Sequence, residues 1–385
     1  MKTERLYDND AYLSCFTATV TECRPYGQGY ALLLDRTAFF PEGGGQGGDS
    51  GYIGDIRIFD TQEEEGEILH LCEQVCEAGK ALPCSIDFAA RFDRMQNHSG
   101  EHIVSGLVHR LYGLDNVGFH LGERETTLDF NGSLDRAQLD RIEELANEAV
   151  FLNLPIQCEY PEAARLATLE YRSKKELTGD VRIVTIEGYD ACACCAPHVA
   201  RTGEIGLIKL LDFIHYKGGV RIWLAAGRRA MLDYREKYRE VAAVSRTLSV
   251  PQAECAAGVD RLLADYEEKK ANAAALSREL AEARAATLTP NAAGNALCFL
   301  SENDELMARK IALSAAQGAS GVCAVFFPAG DGYRFMIASQ QLKLREKAAA
   351  IRAALAARGG GTDELMQGSC TAPRAVIESF FAQPL

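Results

Sequence analysis

The sequence predicts an α+β protein of several domains, in which a small N-terminal β-barrel precedes an α+β core, a helical hairpin and a C-terminal α/β domain. Short apolar or alternating runs separated by glycines fill the first 90 residues. Helical and strand patterns then alternate up to residue 227. Glycine and proline nearly vanish over residues 228–287, before strand and helix patterns return. We expect domains at residues 1–90, 91–227, 228–290 and 291–385.

Composition excludes several classes of protein. With 385 residues, 47% of them hydrophobic, the chain is long enough for two or three cores. No apolar run approaches the roughly 20 residues of a membrane helix, and the first residues lack the apolar core of a secretion signal. The net charge of −13 disfavours broad nonspecific binding to nucleic acid, although it permits a local basic surface. Thirteen scattered cysteines, an odd number, predict reduced thiols, a cytoplasmic location and some metal ligands.

The first domain combines strands with a glycine-rich segment. Residues 17–23, 29–35 and 52–59 are the clearest strand patterns. Residues 37–49 lie between them and contain five glycines. Such a segment lets the backbone approach another molecule, and its N–H groups could bind an oxygen-rich ligand. Composition alone favours a plain hairpin loop, and the lack of a following Gly-Lys-Ser/Thr excludes a P-loop.

The second domain contains two pairs of candidate metal ligands. His98 and His102 are four residues apart in a helical pattern, so both imidazoles lie on one face of the helix. Cys194 and His198 repeat this spacing. Imidazole and thiolate are typical zinc ligands, whereas magnesium and calcium prefer oxygen. We therefore predict one zinc site built from these four residues, rather than four ordinary core or surface side chains.

Two alternatives remain open at this site. Cys192 and Cys195 form a C-x-x-C and compete as ligands with Cys194, which we prefer because its spacing to the histidine repeats the first pair. Residues 98–102 (HSGEH) also match the H-x-x-E-H motif of inverted zinc peptidases, in which Glu101 would be the general base. Outside a peptidase, Glu101 is expected to be a solvated charge on the helix.

The remaining domains carry an apolar stripe and a basic run. Residues 259–283 place apolar side chains at alternating spacings of three and four, interrupted by Lys269. The stripe favours the seam of an antiparallel hairpin within one chain and also permits a homodimer interface. Residues 343–358 carry five basic residues against one acidic residue, a pattern typical of either a solvated helix face or a nucleic-acid contact. The basic residues are Lys343, Arg345, Lys347, Arg352 and Arg358.

Four stretches resemble one family, the alanyl-tRNA synthetase editing domains and their relatives. Residues 39–51 (FFPEGGGQGGDSG) resemble the glycine-rich motif of these domains, and residues 94–103 (RMQNHSGEHI) resemble their H-x-x-x-H helix. Residues 194–206 (CCAPHVARTGEIG) are similar to the C-G-G-T-H-V…T-G-x-I-G motif. Residues 359–368 (GGGTDELMQG) resemble the G-G-G-x-x-D-x-A-Q-G motif of the DHH-associated C-terminal domain, with the Asp–Gln spacing shifted.

The resemblance covers nearly the whole chain in the same order, with local departures. Ser99 and Glu101 stand where the synthetase usually has threonines. Residues 195–197 replace Gly-Gly-Thr, which keeps the ligand spacing but removes loop flexibility and a threonine hydroxyl. The chain has no room for an ATP-using aminoacylation domain. The resemblance therefore implies a freestanding alanyl-tRNA editing protein of the long AlaX type, with an editing core at residues 91–227.

The implied reaction is hydrolysis of the ester that joins serine or glycine to alanine tRNA, with zinc and without ATP. Alanine is intermediate in size, so a binding pocket alone discriminates poorly and a second hydrolytic site is useful. The resemblance makes Gln46 the catalytic residue of the pocket, places Thr37 to sense the serine hydroxyl, and assigns tRNA contact to the basic run. Substrate contact is likewise implied for Gly43, Gly44 and Gly45. The alternative outside enzymes is a non-catalytic tRNA-binding protein with a structural zinc.

Overall fold

The computed structural model describes residues 3–123, 125–173 and 181–385. The chain divides into two compact units, Met1–Ala242 and Ala243–Leu385. Both units combine helices with sheets, which confirms the predicted α+β class. The predicted division into four domains is finer than these two units and stays a prediction. Within the described residues, no helix is both long and apolar enough to span a membrane.

Unit 1 begins with six strands that close into a barrel in the order β2-β3-β7-β6-β5-β8. Outside the barrel, β1 (Glu4–Arg5) pairs in parallel with β4 (Arg36–Thr37). Residues 52–59, predicted as one strand, belong to two strands, because Gly54 at φ +57° turns the chain into a hairpin. The barrel strands are β2 (Cys15–Tyr26), β3 (Gly29–Leu34), β5 (Gly51–Ile53), β6 (Ile56–Glu64), β7 (Glu67–Cys72) and β8 (Ala81–Ile86).

The central helix of unit 1 is α1 (Phe88–Tyr112). The Asp87 side chain caps its first turn by accepting from the N–H of Ala90, and Gly113 ends it at φ 66°. Every residue from 97 to 108 is buried, because the middle of the helix is covered on all sides. A Cβ on Gly106 would lie 2.2 Å from the carbonyl oxygen of residue 189, so only glycine permits this approach.

Two further sheets and a second helix enclose α1. A four-stranded sheet has the order β14-β15-β10-β9, and a three-stranded sheet has the order β11-β12-β13. The elements are β9 (Asn116–Leu121), β10 (Thr126–Phe130), α2 (Arg136–Leu152), β11 (Ile156–Glu159), α3 (Ala163–Leu166), β12 (Ile183–Ile186), β13 (Asp190–Ala193), β14 (Ile208–Tyr216) and β15 (Gly219–Ala226).

Residues 228–287 are almost entirely helical, as predicted, and form α4 (Arg228–Leu248) and α5 (Cys255–Thr287). The large side chains of the apolar stripe of α5 are exposed, and the favoured intramolecular seam stays a prediction. The buried side of α5 instead carries the small residues Ala281 and Ala285, which pack in the core of unit 2. The exposed stripe residues are Val259 (40%), Leu262 (55%), Tyr266 (60%), Leu276 (65%) and Leu280 (46%).

Unit 2 is built on a five-stranded sheet with the order β16-β17-β18-β20-β19. Side chains of β17 (Cys323–Ala329) alternate between two cores: Val325 faces α5 and α6, whereas Phe326 faces α7 and α8. The sheet therefore separates two layers of helices. Its elements are β16 (Ala296–Phe299), α6 (Glu305–Ala315), β17 (Cys323–Ala329), β18 (Gly332–Ala338), α7 (Leu344–Leu355), β19 (Ala357–Gly361), β20 (Leu365–Cys370) and α8 (Arg374–Phe381).

Candidate metal centre

The four predicted zinc ligands come together in unit 1. His98 and His102 project from α1, and Cys194 and His198 lie in the loop that follows β13. Their ligand atoms all lie within 4.8 Å of one another. The Cys194 Sγ atom is 3.6 Å from Nε2 of His98 and 3.4 Å from Nε2 of His198. The three histidines are buried, and neither Cys192 nor Cys195 belongs to this cluster.

Each of the three histidines has its Nδ1 atom held by another side chain. An imidazole that binds a metal ion through Nε2 carries its proton on Nδ1, and this N–H donates to the neighbouring acceptor. The partners therefore orient all three rings toward a common centre and select the tautomer that zinc requires. The contacts are His98 with Oε1 of Gln46 (3.0 Å), His102 with Oδ2 of Asp190 (2.9 Å) and His198 with Oγ of Ser99 (3.0 Å).

The electrostatics of the cluster also suit a soft divalent cation. Burial lowers the pKa of His198 well below its ordinary value, and the nearby His102 and His98 lower it further, so His198 is neutral and able to bind metal. Burial raises the pKa of the Cys194 thiol. A metal ion must therefore displace the thiol proton, which couples metal binding to proton release. Three imidazole nitrogens and one sulfur fit zinc better than magnesium or calcium.

The glycine-rich segment forms a tight turn that delivers Gln46 to this cluster. Reciprocal backbone hydrogen bonds of 3.0 Å join Gly43 and Gln46. Gly45 has φ +85°, and a Cβ there would lie 2.7 Å from the ring of Phe119. That ring in turn lies against the imidazole of His98, with centroids 4.8 Å apart. Glycine is therefore needed at position 45 for both conformation and space.

Gln46 has one hydrogen-bonding atom without a partner. The side chain is fully buried, and its Oε1 atom is taken by His98. Its Nε2 atom has no hydrogen-bond partner within the described part of the chain. An unsatisfied buried donor costs about 1–3 kcal/mol. A donor held beside four candidate metal ligands at this cost indicates a ligand-binding role.

Thr37 ends β4 and contacts the barrel strand β7, and it does not lie among the zinc ligands. Its hydroxyl oxygen accepts from the N–H of Phe39 (3.1 Å) and is 2.8 Å from Nε2 of His70. Nδ1 of His70 is 2.9 Å from the carbonyl oxygen of Leu32, which assigns the ring proton to Nδ1 and makes the Thr37 hydroxyl the donor to Nε2. Burial lowers the pKa of His70 to about 4, so the ring is neutral. Sensing of serine by Thr37 stays a prediction.

Glu101 is buried, and the expectation of a solvated charge is wrong. Only 1% of the residue is exposed, because β9 covers this side of α1. Its Oε1 atom accepts from Ser105 (2.7 Å) and from Asn116 of β9 (2.8 Å). Its Oε2 atom is 3.9 Å from Nε2 of His102. The carboxylate is thus part of the wall of the cluster.

The predicted site lacked the residues that support the ligands. The guanidinium of Arg182 donates to the carbonyl oxygens of Cys194 (3.0 Å) and Ala196 (2.9 Å), and so holds the loop that carries two ligands. Asp190 holds His102 from β13. Its position four residues before Cys194 was the available signal, because carboxylates often accompany metal-binding histidines. Arg182 had no comparable signal.

The predicted tRNA-binding residues lie in unit 2, on α7 and β19 and immediately before α7. Two of them reach the glycine-rich strand: Arg345 Nε is 3.5 Å from the carbonyl oxygen of Gly361, and Arg352 Nη1 is 3.3 Å from that of Gly359. Arg345 and Arg352 are seven positions apart on α7 and therefore share the face of the helix that lies beside this strand. Lys343, Arg345, Arg352 and Arg358 are exposed, and Lys347 is partly buried.

Comparison with known proteins identifies relatives of the chain. Residues 181–227, which include Cys194 and His198, match the family described as the threonyl and alanyl tRNA synthetase second additional domain. The chain is 32% identical over 249 residues to the alanyl-tRNA editing protein AlaX-L of Pyrococcus horikoshii, a match that covers 62% of this chain and 61% of the relative.

Two further proteins are similar in sequence to the chain. The alanyl-tRNA editing protein Aarsd1 of Mus musculus is 29% identical over 54% of each chain. The alanine–tRNA ligase of Halobacterium salinarum is 32% identical over 74% of this chain and 32% of its own length. The chain thus spans at most about three fifths of the length of these three relatives. The resemblance predicted from the motifs is confirmed: the chain resembles alanyl-tRNA editing proteins over much of its length, and its residues 181–227 carry the second additional domain of threonyl and alanyl tRNA synthetases.

Proposed function

We propose that this protein is a zinc-dependent trans-editing hydrolase that deacylates alanine tRNA mischarged with serine, glycine or both. The observation that carries the proposal is the cluster itself: four candidate ligand atoms within 4.8 Å of one another, beside an unpartnered buried amide. The names of the relatives supply the substrate class, alanyl-tRNA. Hydrolysis of an ester that is already activated requires neither ATP nor an organic cofactor.

His98, His102, Cys194 and His198 would hold the zinc ion, which when bound supplies Lewis-acid chemistry toward water or an ester carbonyl. The remaining roles belong to the chain itself. The glycine-rich turn holds Gln46 against His98, so the amide keeps a fixed orientation. The three Nδ1 contacts hold the imidazoles in place, so the rings need not reorient during the reaction.

Gln46 is the donor that we assign to the reacting ester. In the hydrolysis, a water oxygen bonds to the carbonyl carbon, the bond from that carbon to the ribose oxygen breaks, and the ribose oxygen leaves as a hydroxyl with a proton from the water. Negative charge develops on the carbonyl oxygen during the attack. The Nε2 atom of Gln46, which has no partner in the described chain, would donate to this oxygen.

The decisive experiment compares deacylation of alanine tRNA charged with serine, glycine or alanine. We expect zinc-loaded protein to release serine or glycine and to spare alanine. Cys194→Ala should abolish this activity together with zinc binding. Cys15→Ala removes an exposed thiol from β2 and serves as the matched control. Failure of the zinc-loaded wild type to hydrolyse any of the three esters would contradict the proposal.

The same preparations test the two alternative functions. Binding of tRNA without deacylation would indicate a non-catalytic tRNA-binding protein with structural zinc. Cleavage of unstructured peptides, with the tRNA esters left intact, would indicate a metallopeptidase that uses Glu101. The peptidase is disfavoured because its motif gives no role to Cys194 or to the glycine-rich turn that holds Gln46 against His98.

We also propose that the apolar stripe of α5 forms a homodimer interface. Its five large side chains are 40–65% exposed, and burial of such side chains favours association. Sedimentation velocity of the wild type should show a dimer that Leu276→Glu together with Leu280→Glu dissociates. A wild type that is monomeric at tens of micromolar would contradict this interface.

A further inference from the structure

Asp190 forms a bridge between a candidate zinc ligand and an arginine. Its Oδ2 atom is 2.9 Å from Nδ1 of His102 and accepts from Nη2 of Arg172 at 2.9 Å. Its Oδ1 atom accepts from Nε of the same arginine at 2.8 Å. The side chain of Asp190 is 2% exposed and that of Arg172 is 14% exposed. A half-buried arginine thus donates to both oxygens of a buried carboxylate that also contacts a histidine of the cluster.

The backbone builds this bridge from both sides. Arg172 forms a parallel bridge with β13, in which its N–H donates to the carbonyl of Ala191 (2.8 Å) and its carbonyl accepts from Ala193 (3.0 Å). On the other side, a Cβ on Gly106 would lie 2.8 Å from the Cβ of Asp190. Glycine one turn beyond His102 therefore lets α1 come close enough for the carboxylate to reach the imidazole.

The contacts favour an orienting role for Asp190 over a second metal site. His102, Asp190 and Cys192 form another buried group whose ligand atoms lie within 4.8 Å of one another. Both oxygens of Asp190 are, however, already engaged by Arg172, and one of them also by His102. A cation there would have to displace the guanidinium of Arg172, which already pairs with both oxygens. The carboxylate instead satisfies the criteria for a hydrogen-bond partner of a metal-binding histidine.

We propose that Asp190 and Arg172 are positioning residues that determine how tightly His102 holds zinc. The inference rests on the proposed zinc site and names residues outside its predicted ligands. The carboxylate accepts the Nδ1–H of His102, which fixes the ring plane and increases the electron density that Nε2 offers to a metal ion. Arg172 holds the carboxylate through a bidentate pair, which fixes its direction as well as its position.

The test measures zinc affinity rather than activity. A chromophoric chelator competes for zinc with the wild type, Asp190→Asn and Arg172→Gln. We expect Asp190→Asn to weaken zinc binding by about 10–100-fold, and Arg172→Gln to weaken it in the same direction by a smaller factor. With Co²⁺ as the probe, the visible absorption bands of the Asp190→Asn complex should shift, because the His102 nitrogen becomes a weaker donor.

The matched control is another bidentate arginine–aspartate pair in the same unit. Arg221 of β15 donates to both oxygens of Asp129 in β10, at 2.6 and 2.7 Å. None of the contacts described for Asp129 involves a candidate zinc ligand. Asp129→Asn should therefore leave zinc affinity unchanged, although it also removes a charged pair.

The outcomes separate this inference from the proposed function. A wild type that binds zinc but deacylates nothing contradicts the proposed function and leaves this test intact. A wild type that binds no zinc contradicts both. Wild-type affinity in Asp190→Asn, or equal weakening by Asp129→Asn, overturns the inference. If Asp190→Asn does not fold, Arg172→Gln decides, because it leaves the contact between Asp190 and His102 in place, and unchanged affinity there contradicts the role of the pair.

Discussion

At the scale of single residues, the sharpest feature is the divided function of the Gln46 amide. Its oxygen accepts a hydrogen bond from His98, and its nitrogen is a donor without a partner in the described chain. Gln46→Glu keeps an acceptor for His98 and removes the N–H donor. We expect this variant to retain zinc and to lose deacylation rate by about 10²–10³-fold, the loss typical of a missing donor to an oxyanion. Single-turnover deacylation with measured zinc content checks this, and an unchanged rate would contradict the assigned role.

Thr37 has both a predicted functional role and an observed structural one. The predicted serine-sensing role means that Thr37→Val should slow serine removal more than glycine removal. The variant also removes hydrogen bonds to Phe39 and His70, which should lower the free energy of unfolding by about 1–3 kcal/mol. Deacylation of both esters and urea unfolding are measured on the same variant. Equal losses for the two amino acids would argue for the structural role alone.

His70 predicts an acid-sensitive contribution to stability. Its pKa falls from 6.5 to about 4 on folding because burial disfavours the charged ring. The unfolded chain therefore binds a proton first, and the contribution of neutral His70 is complete above pH 6.5 and is lost as the pH falls toward 4. The loss is about 3 kcal/mol at pH 4. Urea unfolding of the wild type and of His70→Gln at pH 7.5 and pH 4 measures this contribution. If both proteins lose the same free energy of unfolding between the two pH values, the loss does not come from His70.

At the scale of elements, one buried ion pair ties the glycine-rich segment to the central helix. Arg91 of α1 donates through Nε to Asp49 at 2.8 Å and through Nη2 to the carbonyl oxygen of Ala38. Asp49 also accepts from the N–H of Phe40. Both charged side chains are almost completely buried. The pair thus sets the position of the loop that carries Gln46 relative to the helix that carries His98.

Removal of one member of this pair should be costly. Asp49→Ala leaves a buried guanidinium without its counterion, and we expect the free energy of unfolding to fall by roughly 3–5 kcal/mol. The control, Glu267→Ala, breaks an exposed pair with Lys270 on α5 and should cost less than about 1 kcal/mol. Urea unfolding measures both. Comparable losses in the two variants would contradict the structural role of the buried pair.

Element boundaries show what local patterns can and cannot predict. The helical stretch at residues 228–287 and the alternating strands of the first domain follow from composition and periodicity. The element that packs against a given helix cannot be predicted from composition and periodicity. The stripe on α5 has a coiled-coil spacing, yet α5 packs through Ala281 and Ala285, because small residues allow closer approach to α6. Periodicity reports that a face is apolar without specifying what covers it.

At the scale of the whole molecule, the proposed binding of tRNA must overcome a net charge of −13. We expect the basic side chains on α7 to supply the attraction, so that Arg345→Glu with Arg352→Glu weakens tRNA binding by at least about tenfold and flattens its salt dependence. The control, Arg278→Glu with Arg309→Glu, makes the same change in charge on α5 and α6, which pack on the other face of the sheet. Filter binding at several salt concentrations checks this, and equal effects would contradict a local site.

The candidate ligands and the class of relatives could both be predicted from local sequence patterns. The four ligands could be predicted because each pair is local: two residues four apart share one helical face or one short loop. The glycine motifs were readable for the same reason, since unusual backbone conformations leave their mark at the residues that adopt them.

The contacts between those ligands and the groups that support them arise only in the folded chain. Gln46 lies 52 residues from His98, Asp190 lies 88 from His102, and Ser99 lies 99 from His198. Hydrogen bonds between such distant positions leave no periodic signal, and burial of a charge such as Glu101 depends on which strand covers it. Local conformation is encoded within a few residues, whereas contacts across the fold arise only when all the elements pack together.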